Sequence, residues 1–320
     1  MKYCSEIHSV TLGVRDLAKT GRFYETNFGY QPVEAAPVSA DCARWWGVPE
    51  GVAARSALLA RWRDGKPLSR GMLRLLECTP SGDHAWGGYE RYFDYGHYAV
   101  NIRVPDIRAS YDAMQAAGAR SKSRPTRWEV EPGLEAWDSL SWDPDGTLID
   151  VYTVNGRPDV FHPIDGPATE VETVAIHTSD AKRSRDFYMG LGYSQFYDRM
   201  ITDLSSFFHL PDHVALHNIN LYMPERSPVG RIEIVQYVGL PGEPVGAAAK
   251  PPRLGILAIA FESPDLDATA AQLRRLGALE VGATVEIDLP GVGRVRALEA
   301  AGPDRERLQF HQPLAAAGRA

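Results

Sequence analysis

Glu77 sits where a carboxylate is expensive. It ends the run Met72-Leu73-Arg74-Leu75-Leu76-Glu77, and an acid buried among leucines needs a cation. A metal ion would serve, and so would an arginine such as Arg61 or Arg74. The loop from Asp83 to Tyr95 carries His84, Trp86, Tyr89, Tyr92 and Tyr95 and runs on into Tyr98. Such aromatic density either walls a pocket and stacks on an aromatic substrate or forms a packing seam. His177 shares the inward register of Thr173 and Ala175, so it either donates to a ligand or is a satisfied core histidine. Other chemistries lack their signatures: there is no Gly-rich phosphate loop, no G-x-S-x-G elbow and no H-E-x-x-H. Three scattered cysteines, Cys4, Cys42 and Cys78, suit neither a disulfide framework nor a cysteine zinc site.

The elements that must position these side chains come as a repeat. Ile7-His8-Ser9-Val10 through Asp16, Phe23-Tyr24 and Gly29-Tyr30 returns as Val171-Glu172-Thr173-Val174 through Asp180, Phe187-Tyr188 and Gly192-Tyr193. Val104-Pro105-Asp106 and Pro144-Asp145 return as Ser263-Pro264-Asp265 and Pro303-Asp304. Four related units therefore start near residues 7, 96, 171 and 254. Each opens with an alternating apolar strand, then an aspartate (Asp16, Asp106, Asp180 or Asp265) placed to cap a helix. Gly118 and Gly277 end two of those helices, and three strand-like runs follow, such as Ser56–Trp62 and Met72–Cys78. Each unit reads β-α-β-β-β. Trp45-Trp46-Gly47-Val48-Pro49 recurs as Phe207-Phe208-His209-Leu210-Pro211, which marks it as architectural. Val154–Thr169, with Pro158, Pro163 and Pro167, reads as a linker.

A chain of 320 residues is long enough for about two domains, and its composition is that of a globular protein. A net charge of −7 without a Lys/Arg-rich run disfavours nucleic acid. No apolar stretch approaches the ~20 residues of a membrane span, and the first residues enter a strand pattern without a signal-peptide core. The expectation is a cytoplasmic monomer or homodimer with a small-molecule partner, no nucleic acid and no membrane.

Val14-Arg15-Asp16-Leu17 with Phe23-Tyr24 and Phe28-Gly29-Tyr30, and Asp143-Pro144-Asp145-Gly146-Thr147-Leu148-Ile149-Asp150, resemble the vicinal oxygen chelate superfamily. That group includes glyoxalase I, extradiol dioxygenases, methylmalonyl-CoA epimerase and fosfomycin- and bleomycin-resistance proteins. The resemblance implies an α+β fold of four βαβββ modules paired into two cup-like barrel domains. Residues 1–155 would form one, with modules 1 and 2, and residues 170–320 the other, with modules 3 and 4, joined by a linker at 156–169. It also implies a divalent metal ion (Zn, Fe, Mn, Ni or Co) in the N-terminal cup, held by His8, Glu77, His97 and Asp150. Glu77 would leave the metal to act as general base. The C-terminal counterparts, Glu172, Gln236, Ile256 and Gln309, lack that ligand set. A glyoxalase-like lyase or isomerase is implied, stabilising an enolate or oxyanion of a small oxygen-rich or aromatic substrate beside Trp86, Tyr92, Tyr95 and Tyr98. The alternatives are an extradiol-type ring-cleaving dioxygenase using His8, His97 and Asp150, and a metal-free small-molecule binding protein. Two departures bear on this. Ser9 stands where the family places its first-strand histidine, so His8 faces the cup only if a β-bulge turns it. Asp150 replaces the usual glutamate.

Overall fold

The computed structural model describes residues 2–87, 91–202, 213–225 and 227–314. Tyr89 and the Phe207–Pro211 counterpart of Trp45–Pro49 lie outside the described residues. Module 1 comprises β1 (Ile7–Val14), α1 (Leu17–Phe28), β2 (Gln31–Pro37), α2 (Ala40–Trp46), β3 (Ala53–Ala60), the short β4 (Trp62–Arg63) and β5 (Lys66–Pro67), and β6 (Met72–Thr79). Module 2 is β7 (Gly96–Arg103), α3 (Ile107–Ala116), β8 (Thr126–Glu131), β9 (Leu134–Trp142) and β10 (Leu148–Asn155). Module 3 is β11 (Val171–His177), α4 (Ala181–Leu191), β12 (Ser194–Ile201), β13 (Ala215–Tyr222) and β14 (Arg231–Val238). Module 4 is β15 (Gly255–Glu262), α5 (Leu266–Arg275), β16 (Glu280–Val281), β17 (Val285–Leu289), β18 (Gly293–Ala301) and β19 (Arg307–Pro313).

The capping aspartates do what their positions predict. Asp16 accepts from Lys19 N, Asp106 from Arg108 N and Ala109 N, Asp180 from Lys182 N and Arg183 N, and Asp265 from Asp267 N and Ala268 N. Each satisfies donors that the first helical turn leaves free.

The modules pair, but not in chain order. One sheet runs β16-β18-β19-β15-β1-β6-β3-β2, joining module 4 to module 1 through antiparallel β15 and β1. The other runs β12-β13-β14-β11-β7-β10-β9-β8, joining module 3 to module 2 through β11 and β7. The expected domains at 1–155 and 170–320 are therefore not the folding units of the sheets. The 156–169 segment connects two modules of one cup rather than two cups. Modules 1 and 2, and modules 3 and 4, meet instead through their helices and turns. Asp145 of module 2 accepts from Thr20 Oγ1 at 2.6 Å and from Arg15 N at 3.0 Å. Tyr188 of module 3 likewise donates to Glu306 of module 4 at 2.8 Å. One apolar core runs through all four modules, including Leu12, Tyr24, Val100, Ile149, Ile176, Tyr188, Ile259 and Phe310. Among the described residues no helix is long and apolar enough to cross a membrane.

Candidate functional site

A bulge in each first strand decides which side chains enter a cup. Between β1 and β15 the register passes from Ile7–Phe261 to Ser9–Ala260, leaving His8 as the extra residue. The same irregularity leaves Leu257 extra in β15, Tyr98 in β7 and Glu172 in β11. Each lies eight residues before its module's capping aspartate (16−8, 106−98, 180−172, 265−257), so the bulge belongs to the module itself. It breaks strict alternation and re-aims a side chain.

In the 1/4 cup the bulge brings His8 against His311 of β19, with ring centroids 4.6 Å apart. Nδ1 of His8 lies 3.3 Å from Ser9 Oγ. Burial, then the charges of His311 and Arg74, hold the His8 imidazole well below its usual pKa. The rest of this cup is filled. Cys42 and Trp46 of α2 pack with Leu76, Cys78, Leu257, Ile287 and Leu289, and the Arg74 guanidinium lies 5.4 Å from the Trp46 ring.

Glu77 is elsewhere. Alternation along β6 puts it on the helix-bearing face, where its Oε2 accepts from Leu17 N at 2.8 Å. Gln236 caps α4 in the same way through Ala181 N at 3.0 Å, and Gln312 caps α5 through Leu266 N at 3.3 Å. Glu77 thus fills a capping place that two other modules give to an amide. His97 is turned away by the bulge that admits Tyr98. Its Nε2 lies 3.0 Å from the Arg307 carbonyl, and burial lowers its pKa to about 4. Asp150 lines the 2/3 cup. The four expected ligands therefore occupy four separate places. Among the described residues no three His, Cys, Asp or Glu side chains assemble as a metal-binding group. That set does not fit one metal ion.

The 2/3 cup holds two adjoining lobes, which share Asn101, Trp128, Asp138, Asp150 and Glu233 in their walls. The Glu233 carboxylate accepts from Asn101 Nδ2 and from Asn218 Nδ2, each at 2.7 Å. Trp128 Nε1 donates to Asp138. With both amide nitrogens committed, Oδ1 of Asn101, of Asn218 and of Asp150 stay buried without a partner among the described residues. Each such acceptor costs about 1–3 kcal/mol. Burial, then the charges of Asp138 and Glu233, push the Asp150 carboxyl well above its usual range. Burial pushes Asp138 up to about 8. Arg231, beside them, is already occupied by Asn220 Oδ1, the Tyr152 hydroxyl and the Pro228 carbonyl.

The aromatic loop divides. Tyr98 lines the cavity and stacks on His177 with centroids 3.8 Å apart. His177 Nδ1 lies 2.6 Å from the Tyr92 carbonyl, so that nitrogen carries the proton and Nε2 is left an acceptor. Trp86 and Tyr92 stand behind this wall. Trp86 Nε1 donates to the His97 carbonyl at 2.8 Å, and the Tyr92 ring lies 5.4 Å from Tyr237. Tyr95 belongs to a seam, its hydroxyl accepting from Gly242 N at 2.8 Å. At the rim, Lys122 Nζ lies 3.2 Å from the Tyr98 hydroxyl and 4.6 Å from the Tyr92 ring centroid. Burial lowers the Lys122 ammonium to about 8.

Asn101, Asp138, Asn218 and Glu233 escape sequence reasoning because pairing modules in chain order never brings β7 and β9 of module 2 to one cavity with β13 and β14 of module 3. Their signal is present nonetheless: Asp138 stands two residues from Ala136 and from Leu140, in the inward register of β9.

Residues 6–151 match the Glyoxalase/Bleomycin resistance protein/Dioxygenase superfamily. The chain is similar in structure to glyoxalase I from Zea mays, with a TM-score of 0.61 and 16% identity over 96% of this chain and 92% of that one. It is also similar to a putative dioxygenase from Bacillus subtilis, with a TM-score of 0.58 and 11% identity over 99% and 87%. No curated protein matches the sequence.

Proposed function

We propose that this chain is a four-module member of the glyoxalase/bleomycin resistance protein/dioxygenase superfamily and a lyase- or isomerase-type enzyme whose small substrate occupies the 2/3 cup. The observation that carries this reading is the set of three carboxyl groups, Asp138, Asp150 and Glu233, lining one aromatic-walled cavity. Two of them, Asp138 and Asp150, are pushed up by burial, and perturbed acids lining a cavity are a functional-site signature.

Asp150 and Glu233 come from the last strands of the two modules that build the cup. Glu233, steadied by two amide donors, is the base that takes a proton from the substrate. Burial and its acidic neighbours push the Asp150 carboxyl upward and favour its protonated form, so it is the acid. One group removes a proton and the other returns one, the minimum an isomerisation or elimination requires. Tyr98, stacked on His177, offers a flat face that orients a planar substrate.

The test is turnover of hydroxyketones, hemithioacetals and aminoketones in D₂O, read by NMR as deuterium entering the substrate. Asp150→Asn and Glu233→Gln should each slow exchange by about 10²–10⁴-fold. Exchange that survives both changes but is abolished by His8→Gln would move the chemistry to the other cup and sink the proposal.

A further inference from the structure

We infer that the ligand of the 2/3 cup is a small organic cation, an amine or amidine carried on a single ring. The inference rests on the reading of that cup as the substrate site. Its basis is an inventory of donors and acceptors. Glu233 fixes the orientation of two amides, because a carboxylate accepts only from their NH₂ ends. Asn101, 5% exposed, and Asn218, 2% exposed, must therefore direct their oxygens elsewhere, and both line the cavity. Those oxygens and Asp150 Oδ1 have no partner among the described residues; the two amide oxygens are acceptors, and the Asp150 carboxyl becomes a third when a cation sits beside it. Nε2 of His177 adds a fourth acceptor on the same wall.

An anion entering here would meet acceptors and carboxyls. The nearby cations do not change that, since Arg231 faces the Glu172 carboxylate 3.6 Å away and is held by Asn220, Tyr152 and Pro228, and Lys122 sits on Tyr98 and Tyr92. A neutral donor would suit the amide oxygens but bring no charge to the Glu233 carboxylate and its neighbours. A bare metal cation would use the oxygens and leave Tyr98, Trp128, Tyr237, Leu140, Leu216 and Val235 without a role. An aromatic cation uses both, its N–H groups on the oxygens and its ring and charge against the aromatic wall.

Calorimetric titration of the full chain with benzylamine and benzamidine, against benzyl alcohol, benzoate and MnCl₂, tests this. Both cations should bind, benzyl alcohol about tenfold more weakly or worse, and benzoate not measurably. Asp150→Asn, which preserves shape, and Asn218→Leu should each weaken benzylamine by about tenfold or more, while Asp41→Asn, at an exposed side chain of α2, should not. Circular dichroism confirms that each variant is folded. Benzoate or benzyl alcohol binding as tightly as the amines, Mn²⁺ displacing benzylamine stoichiometrically, or no binding of either cation overturns the ligand class. Benzoate binding that Asp150→Asn weakens would keep the cup and discard the cation. Binding of any probe that ignores both cup variants would discard the cup itself.

Discussion

Glu77 and Asp150 carry the same functional group and face opposite sides of their sheets, and that difference separates a cap from an acid. If Glu77 only closes α1, Glu77→Gln should leave stability within about 0.5 kcal/mol, because Gln236 and Gln312 do the same work. Glu77→Ala should cost about 1 kcal/mol, both read from urea denaturation midpoints. Asp150→Asn should behave in the reverse sense. Removing a buried acid from beside Asp138 and Glu233 should raise the thermal midpoint at pH 8 by about 2–4 °C while slowing turnover by about 10²–10⁴-fold. An unchanged or lowered midpoint would show that Asp150 is already well compensated. Neither outcome is legible in the residue types. A glutamate ending a leucine run reads as a buried acid until the helix packed on its face is known.

At the scale of elements, the strands, helices and caps are where periodicity puts them, because amphipathic alternation and aspartate capping are local. The bulges are not. His8, Tyr98, Glu172 and Leu257 share no residue type that announces an extra residue, since the irregularity arises from how each first strand meets its antiparallel partner. That partnership has its own weak point. A Cβ on Gly13 would lie 2.0 Å from the Arg253 carbonyl oxygen, at the end of the β1–β15 joint. Gly13→Ala should therefore cost about 1–3 kcal/mol, or more if the backbone cannot shift, and hydrogen exchange should quicken first in β1 and β15. Exchange that quickens only in β7 and β11 would show that the two sheets do not hold separate joints.

For the whole molecule, chain order and spatial order part company. A repeat read along the chain suggests neighbours, and only the strand edges reveal that module 1 meets module 4. Fragments 1–155 and 170–320 should therefore fail to hold closed cups alone and should co-elute as one complex when mixed on a sizing column. A well-folded monomeric 1–155 fragment would contradict the shared cups. Stability should also depend on pH in a way the buried groups dictate. Burial lowers His84, His97 and His311 to about 4 and His177 to about 3, so their contribution is present above about 6.5 and lost as pH falls toward 4. Burial raises Asp143 and Glu306 to about 7 and Asp138 to about 8, so their contribution is present below about 4 and lost as pH rises through 7 to 8. Above about 6.5 only the acids act, and stability should fall toward pH 8. Asp143→Asn with Glu306→Gln should flatten that decline in denaturation midpoints taken across the range.

The recurring bulge makes each first strand an interchangeable socket. One backbone irregularity, repeated four times, holds an imidazole, a phenol, a carboxylate and an isobutyl group without altering the surrounding frame. Substitution there changes what a cavity offers while the hydrogen-bonded ladder stays as it was. A single codon there sets which side chain the first strand of a module presents, and a designer can use the same position.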